Sequence, residues 1–155
     1  MKYLDLKIEP SESVEGVKCE NVKQEEIDDI LTYSIPQMQG ICGSLGGYGL
    51  AAVQVGIKKN FFIMRNEDNP EEFDVFFNAM YLKEGSRIQI KEGCLSYDFG
   101  KRINVVKRYK SIKVIYEVLN KDEQLTRTNE KVKGMRALGF QHEIDHCNGI
   151  TIFTK

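Results

Sequence analysis

What this sequence lacks narrows its function first. None of its four cysteines, Cys19, Cys42, Cys94 and Cys147, stands at a C-x-x-C spacing from another. Zinc ribbons and thioredoxin-type redox pairs are therefore set aside. No apolar run approaches the ~20 residues of a membrane helix. The opening MKYLDLKIEPSESVEG holds no apolar stretch to serve as a secretion signal. Charge of either sign is not in excess: 22 Lys and Arg face 23 Asp and Glu, a net charge of −1. That balance gives no electrostatic reason to expect nucleic acid or an anionic membrane as partner. Internal repeats, low-complexity tracts and linkers are missing too. The expectation is a cytoplasmic, single-domain chain over residues 1–155 with reduced thiols. Its 41% hydrophobic and 29% charged residues suit an ordinary globular protein.

The pattern that is present predicts an α+β fold, with antiparallel β-sheets packed around a central helix and a further helix near the N-terminus. Val22, Ile27, Ile30, Leu31 and Ile35 are spaced for one buried helical face from Glu20 to about Gln39, and Pro36 should kink or end it. A glycine-rich turn, Gly43 to Gly49, leads into the small-residue segment LAAVQVG. Six strand-like runs follow: KNFFIMR, DVFFNAMYL, RIQIKEG, INVVKR, SIKVIYEV and QLTRTNEKV. Gly134 then opens the helical stretch MRALGFQHEIDHCNG, which should stop near Asn148-Gly149. The last apolar residues, ITIF, are read as a short terminal strand.

The chemistry-bearing residues begin with His142-Glu143-Ile144-Asp145-His146. Histidines four apart lie on one face of a helix, a turn from each other, and together can hold one metal ion. Glu143 sits beside that face, near enough to move protons on a metal-bound water. An H-E-x-x-H match is also what an exposed polar helix turn looks like, but these are the only two histidines in the chain. A catalytic metal needs a third protein ligand and one open position. The nine residues after His146, CNGITIFTK, contain no histidine, aspartate or glutamate. The third ligand must therefore come from upstream or be Cys147. Cys147 points about 100° away from His146 around the helix and suits a buried apolar role better.

Upstream, Glu92-Gly93-Cys94-Leu95-Ser96 follows a predicted strand. Cys94 as thiolate would complete a two-histidine, one-sulfur site, and Gly93 lets substrate or metal approach the backbone. Alone, the segment reads better as one buried cysteine. Gly47-Tyr48-Gly49-Leu50-Ala51-Ala52-Val53-Gln54 is no phosphate loop, because no G-K-[ST] follows it. It reads as a tight turn that leaves Gln54 either a fixed amide donor or a surface residue.

Together GYGLAAVQ, EGCLS and QHEIDH, in this order, resemble the three signature motifs of the peptide deformylase family, without a mismatch. The resemblance runs from about the first helix to Gly149. It implies one divalent ion held by Cys94, His142 and His146, with Fe2+ as the native metal and Zn2+, Ni2+ or Co2+ in its place in purified protein. The implied reaction removes the N-formyl group from formyl-methionyl nascent peptides near the ribosome exit, in a monomeric enzyme. Glu143 would shuttle the proton, and the Gln54 amide with the Leu95 N–H would form the oxyanion hole. Gly49 and Gly93 would hold the peptide backbone, with Tyr48, Ile90, Met135 and Leu138 around the methionine. Arg108 would pair with Asp145 in support. The resemblance further implies a short form without the C-terminal helical tail of bacterial relatives, as in organelles and phages. A phage form would work in the host cytoplasm.

Two other function classes set the contrast. An H-E-x-x-H metallopeptidase is disfavoured by the missing downstream ligand. A catalytically inactive, metal-stabilised binding module would need a closed site of four ligands, and only three convince.

Overall fold

The β-branched and aromatic runs join into one antiparallel sheet of five strands, paired in chain order. The computed structural model describes residues 2–155. The strands are β1 (Gly49–Ala51), β2 (Phe61–Arg65), β3 (Phe73–Gly93), β4 (Ile103–Leu119) and β5 (Leu125–Lys133). DVFFNAMYL and RIQIKEG, expected as separate strands, are the two halves of β3. INVVKR and SIKVIYEV likewise merge in β4. Pairing of β3 with β4 slips between Phe77 and Met80, and again between Glu84 and Arg87. Asn78 (φ 54°) and Gly85 (φ 70°) take left-handed conformations at those slips. The chain therefore bends at two bulges instead of stopping. This bend lets one strand contribute Phe76 to the core at one end and lead into Cys94 at the other.

The N-terminal helix, α1, combines a short α-turn Ile27–Asp29, a π-type turn Ile30–Ser34 and a regular stretch Ile35–Ser44. It outruns the expected end by several residues, because Pro36 does not end it. In the π-type turn the Ile35 N–H donates to the Ile30 carbonyl, which shifts the register just ahead of the proline. Pro36 then enters in the first turn of the regular stretch, where its missing N–H is tolerated.

The second helix, α2 (Gly134–Cys147), starts directly where β5 ends. Ala137, Phe140, Ile144 and Cys147 recur at helical spacing and bury against the sheet. Phe140 is the hub of that contact, its ring 4.8 Å from Phe76, 5.7 Å from Tyr116 and 6.0 Å from Phe62. Most of the rest of α2 is buried as well, including Gln141, Glu143, Asp145 and His146. A polar helix can be buried this deeply only if its side chains find partners. Gln141 shows how: its Oε1 accepts from the Tyr109 N–H at 2.8 Å and its Nε2 donates to the Tyr109 carbonyl at 2.9 Å. The amide thus satisfies the edge of β4 beyond the point where β5 ends.

The terminal strand does not form. Residues after Gly149 make a turn held by three contacts. The Asn104 amide donates to the Ile152 carbonyl, the Thr151 N–H donates to Thr154 Oγ1, and Ile150 O accepts from His146. Ile152 is apolar because it is buried beside Tyr97, not because it pairs in a sheet. The N-terminal segment crosses the same end of α2. The Cys19 N–H donates to Cys147 O and the Gly16 N–H to Gly149 O. Gly149 has φ 78°, and a Cβ there would lie 2.6 Å from the Val17 nitrogen. The C-terminal end of the site-bearing helix is therefore fixed from both sides.

Candidate metal centre and active site

Three ligand-type side chains converge at one end of α2. One donor atom each from Cys94, His142 and His146 lies within 4.8 Å of the others. The histidines come from successive turns of the helix, with rings 4.5 Å apart and nearly perpendicular. Cys94 arrives from the end of β3, and its Sγ stands 3.3 Å from His146 Nε2.

Both imidazoles are oriented from behind. His142 Nδ1 donates to Glu92 Oε1 at 2.7 Å, and His146 Nδ1 donates to the Ile150 carbonyl at 3.1 Å. With each Nδ1 turned to an acceptor behind it, Nε2 is the ring nitrogen that faces the site and would meet a ligand. Glu92 also accepts two bonds from Arg108, at 2.9 Å to Nε and 2.8 Å to Nη2. Arg108 in turn reaches Asp145 Oδ2 through Nη1 at 2.6 Å. Tyr81 Oη and Lys155 Nζ complete the Asp145 carboxylate. Asp145, Arg108, Glu92 and His142 thus form one chain of charge-assisted bonds, with the Arg108 guanidinium fully buried inside it.

The electrostatics follow this wiring. Burial alone would raise the Glu92 carboxyl, but the Arg108 guanidinium and His142 ring outweigh it and hold it down at about 2. Burial would lower His142, yet the Cys94 sulfur and Glu92 carboxylate beside it raise it to about 10. His146 is held well below the usual histidine range by burial and by the charge of His142. Glu143 is pushed up to about 7 by burial, partly opposed by the His142 charge. Glu143 Oε1 is buried and has no hydrogen-bond partner among the described residues.

These residues fit a single divalent cation. The donor set is one sulfur and two imidazole nitrogens, which suits Fe(II) or Zn(II). The sulfur and carboxylate beside His142 favour positive charge there. The orphaned Glu143 oxygen, beside the ligands, is an acceptor waiting for a proton donor.

The predicted site residues gather around one cavity of about 450 Å³, lined by Tyr48, Gly49, Gln54, Ile90, Gly93, Cys94, Leu95, Met135, Leu138, His142 and Glu143 among others. Arg108, Asp145 and His146 lie behind this lining. Gln54 Oε1 accepts the Ala51 N–H at 2.9 Å, which points Nε2 at Cys94 Sγ (3.4 Å) and Ser96 Oγ (3.0 Å). The Leu95 N–H donates to no acceptor among the described residues. Gly49 is required by contact, since a Cβ there would stand 2.8 Å from Glu143 Oε2 and 2.9 Å from the Ile63 carbonyl. A Cβ at Gly93 would meet the Gly100 carbonyl at 2.7 Å. That glycine therefore also admits the loop Asp98–Gly100. Ile90 and Leu138 are partly buried in the wall, whereas Met135 stands at the mouth, 65% exposed.

Sequence reading missed Glu92, the residue that joins His142 to Arg108. It is the first letter of EGCLS, but no spacing rule links it to a histidine fifty positions away. Gly139 and Phe99 were also missed. A Cβ at Gly139 would sit 2.5 Å from the Tyr48 ring.

The chain is similar to known proteins. The family model for polypeptide deformylase matches residues 10–155. A peptide deformylase of Wolbachia pipientis is 37% identical over 115 residues, which cover 67% of this chain and 61% of that protein. One from Thermotoga maritima is 33% identical over 131 residues, covering 84% and 74%. The chain thus spans under two thirds of the length of the Wolbachia relative. Among solved structures, a probable peptide deformylase from a Synechococcus phage superposes with a TM-score of 0.78 at 31% identity, covering 96% of this chain and 98% of that one. The Thermotoga maritima enzyme gives 0.76 at 28%, covering 97% and 96%.

Proposed function

The chain belongs to the polypeptide deformylase family, and from that premise we propose that it hydrolyses the N-formyl group of formyl-methionyl peptides. Formate and a free methionine amine are the products. The observation that carries this reading is the convergence of Cys94, His142 and His146 beside the buried, unpartnered Glu143 oxygen.

Cys94, His142 and His146 would hold the ion. A divalent ion bound there supplies a Lewis acid that lowers the pKa of water from 15.7 toward ~7. Glu143 accepts the proton that water loses as its oxygen bonds to the formyl carbon. It then returns that proton to the methionine nitrogen as the C–N bond breaks, so no net proton is consumed at the carboxylate. The negative charge on the former carbonyl oxygen is met by Gln54 Nε2, already aimed into the site, and by the free Leu95 N–H. Such donors contribute ~2.7–4 kcal/mol each in other oxyanion holes. Gly49 and Gly93 leave room for an extended peptide backbone between them, and Tyr48, Ile90, Leu138 and Met135 offer apolar surface to the methionine.

In this reading Fe2+ is the native ion, and Zn2+, Ni2+ or Co2+ replaces it after aerobic purification. The protein acts as a monomer in the cytoplasm, on nascent chains near the ribosome exit. The test is formate release from formyl-Met-Ala-Ser by protein purified without oxygen, with metal content measured on the same sample. One ion per chain and steady formate release are expected. Metal-replete protein that releases no formate overturns the reading.

A further inference from the structure

A second cavity, of about 700 Å³, shares no lining residue with the one at the metal centre. It is an open groove between β3, β4 and the C-terminal end of α2, closed at one side by the turn that follows the helix. The chain as a whole carries a net charge of −1, yet Lys83, Arg87, Lys107 and Lys155 all line this groove against a single acid, Asp145. That acid is already engaged, accepting from Tyr81 Oη, Arg108 Nη1 and Lys155 Nζ. Lys83 Nζ stands over the Tyr109 ring, 5.8 Å from its centre. The exposed Arg87 and Lys107 side chains make no ion pair or hydrogen bond among the described residues. A local excess of positive charge is thus left unmatched on a chain that is balanced overall.

Between these cations the groove is apolar. Val106 and Ile144 are buried in its floor, while Met80 and Val105 stand 48% and 52% exposed along its walls. Single exposed apolar residues are ordinary, but apolar surface gathered in a groove and rimmed by polar groups marks an interaction site. An apolar centre inside a charged rim is also how a protein interface is built.

We infer that this groove docks an acidic segment of a partner protein, which lays apolar side chains against Met80 and Val105 and sets carboxylates against Arg87 and Lys107. Charge complementarity decides the occupant. An uncharged apolar segment would cover Arg87 and Lys107 and strip their hydration for no partner. A polyanion such as RNA would meet the cations but leave the apolar walls in water. An acidic segment with apolar anchors satisfies both. The anchors supply the affinity, and the rim charges select the sign of the partner and speed the encounter. Because the two cavities share no lining residue, a docked partner leaves the way to the metal centre open. The inference stands apart from the deformylase reading and does not depend on it.

The test measures binding to the metal-replete full chain by fluorescence anisotropy. The probes are the dye-labelled peptide Glu-Leu-Leu-Glu-Asp-Leu-Glu, a counterpart with lysine at every acid, a counterpart with serine at every leucine, and oligouridylate. The acidic apolar peptide is expected to bind saturably, with a Kd of about 0.1 mM or tighter and about tenfold or more ahead of the other three. Its binding should weaken as salt rises above about 0.1 M, where exposed charges are screened. The double variant Arg87→Glu with Lys107→Glu should lose the acidic peptide and take the lysine peptide in its place. Val105→Ser should weaken the acidic peptide while keeping the preference for its sign. Both variants should release formate from formyl-Met-Ala-Ser as the wild type does, since neither touches the lining of the catalytic cavity. An acidic peptide that does not bind, or binds no better than its lysine or serine counterpart, overturns the inference. So does one that binds the charge-reversed variant as well as the wild type. Oligouridylate binding as tightly as the acidic peptide overturns it in favour of nucleic acid.

Discussion

Glu92 Oε1 accepts from His142 Nδ1 at 2.7 Å while the same carboxylate takes two bonds from Arg108. One acid thus fixes the ring of a metal-ligand candidate and neutralises a fully buried guanidinium. Replacing it affects both. Glu92→Gln keeps an acceptor for His142 but removes the charge, and metal affinity is expected to fall about 10–100-fold. Competition with a chelator of known affinity measures it. Glu92→Ala leaves the buried Arg108 with Asp145 as its one remaining carboxylate partner and should cost ~3–5 kcal/mol in urea denaturation. Unchanged affinity in Glu92→Gln would remove Glu92 from the support of the site.

The unpartnered Glu143 oxygen gives a second prediction. Glu143→Gln leaves all three ligands in place, so the protein should retain one metal ion. Turnover should drop by roughly 10²–10⁴-fold, because an amide cannot take up and return the proton. Metal content and formate release on one preparation test both halves. Full activity at unchanged metal content contradicts the assignment.

How much of this was legible in the sequence depends on the range of the interaction. The i, i+4 histidines are local and periodic, and the helix that carries them was legible as a central helix. The strand runs were found, but their fusion into β3 and β4 was not. A glycine at φ 70° marks either a hairpin turn or a bulge, and only the partner strand decides which. Ile150 and Ile152 read as strand because burial and strand pairing leave the same apolar mark. That the helix runs on past Pro36 was not legible, since the π-type turn before it leaves no trace in composition. The Glu92–Arg108–Asp145 chain was visible only in part, because long-range ionic pairing has no period.

Close packing of α2 on Tyr48 supplies a third prediction. A methyl at Gly139 would stand 2.5 Å from the Tyr48 ring and 3.0 Å from Met64 Sδ. Gly139→Ala should therefore destabilise the protein by ~1–3 kcal/mol, although alanine is the better helix former. Phe140→Ala, at the hub of the aromatic contacts, should cost ~3–5 kcal/mol. Thermal unfolding followed by circular dichroism checks the order. A more stable Gly139→Ala would show that the contact relaxes freely.

The pair Glu26–Lys59, far from the metal centre, predicts a pH dependence of stability. Burial alone would raise the Glu26 carboxyl, but the Lys23 N–H and the Lys59 ammonium outweigh it and lower it below its usual 4.5. A lowered carboxyl stabilises the fold above its unfolded pKa and loses that contribution as pH falls through the folded value. The stability difference between wild type and Glu26→Gln should be present at pH 7 and fade below about 4.5. Urea denaturation at several pH values measures it. A difference that grows on acidification would reverse the sign and refute the pairing.

X-ray absorption at the metal edge, on protein loaded anaerobically with one ion, tests the central claim most directly. The account predicts a first coordination sphere of one sulfur and two imidazole nitrogens, with the sulfur lost in Cys94→Ala. A sphere without sulfur, or one unchanged by that substitution, would contradict it.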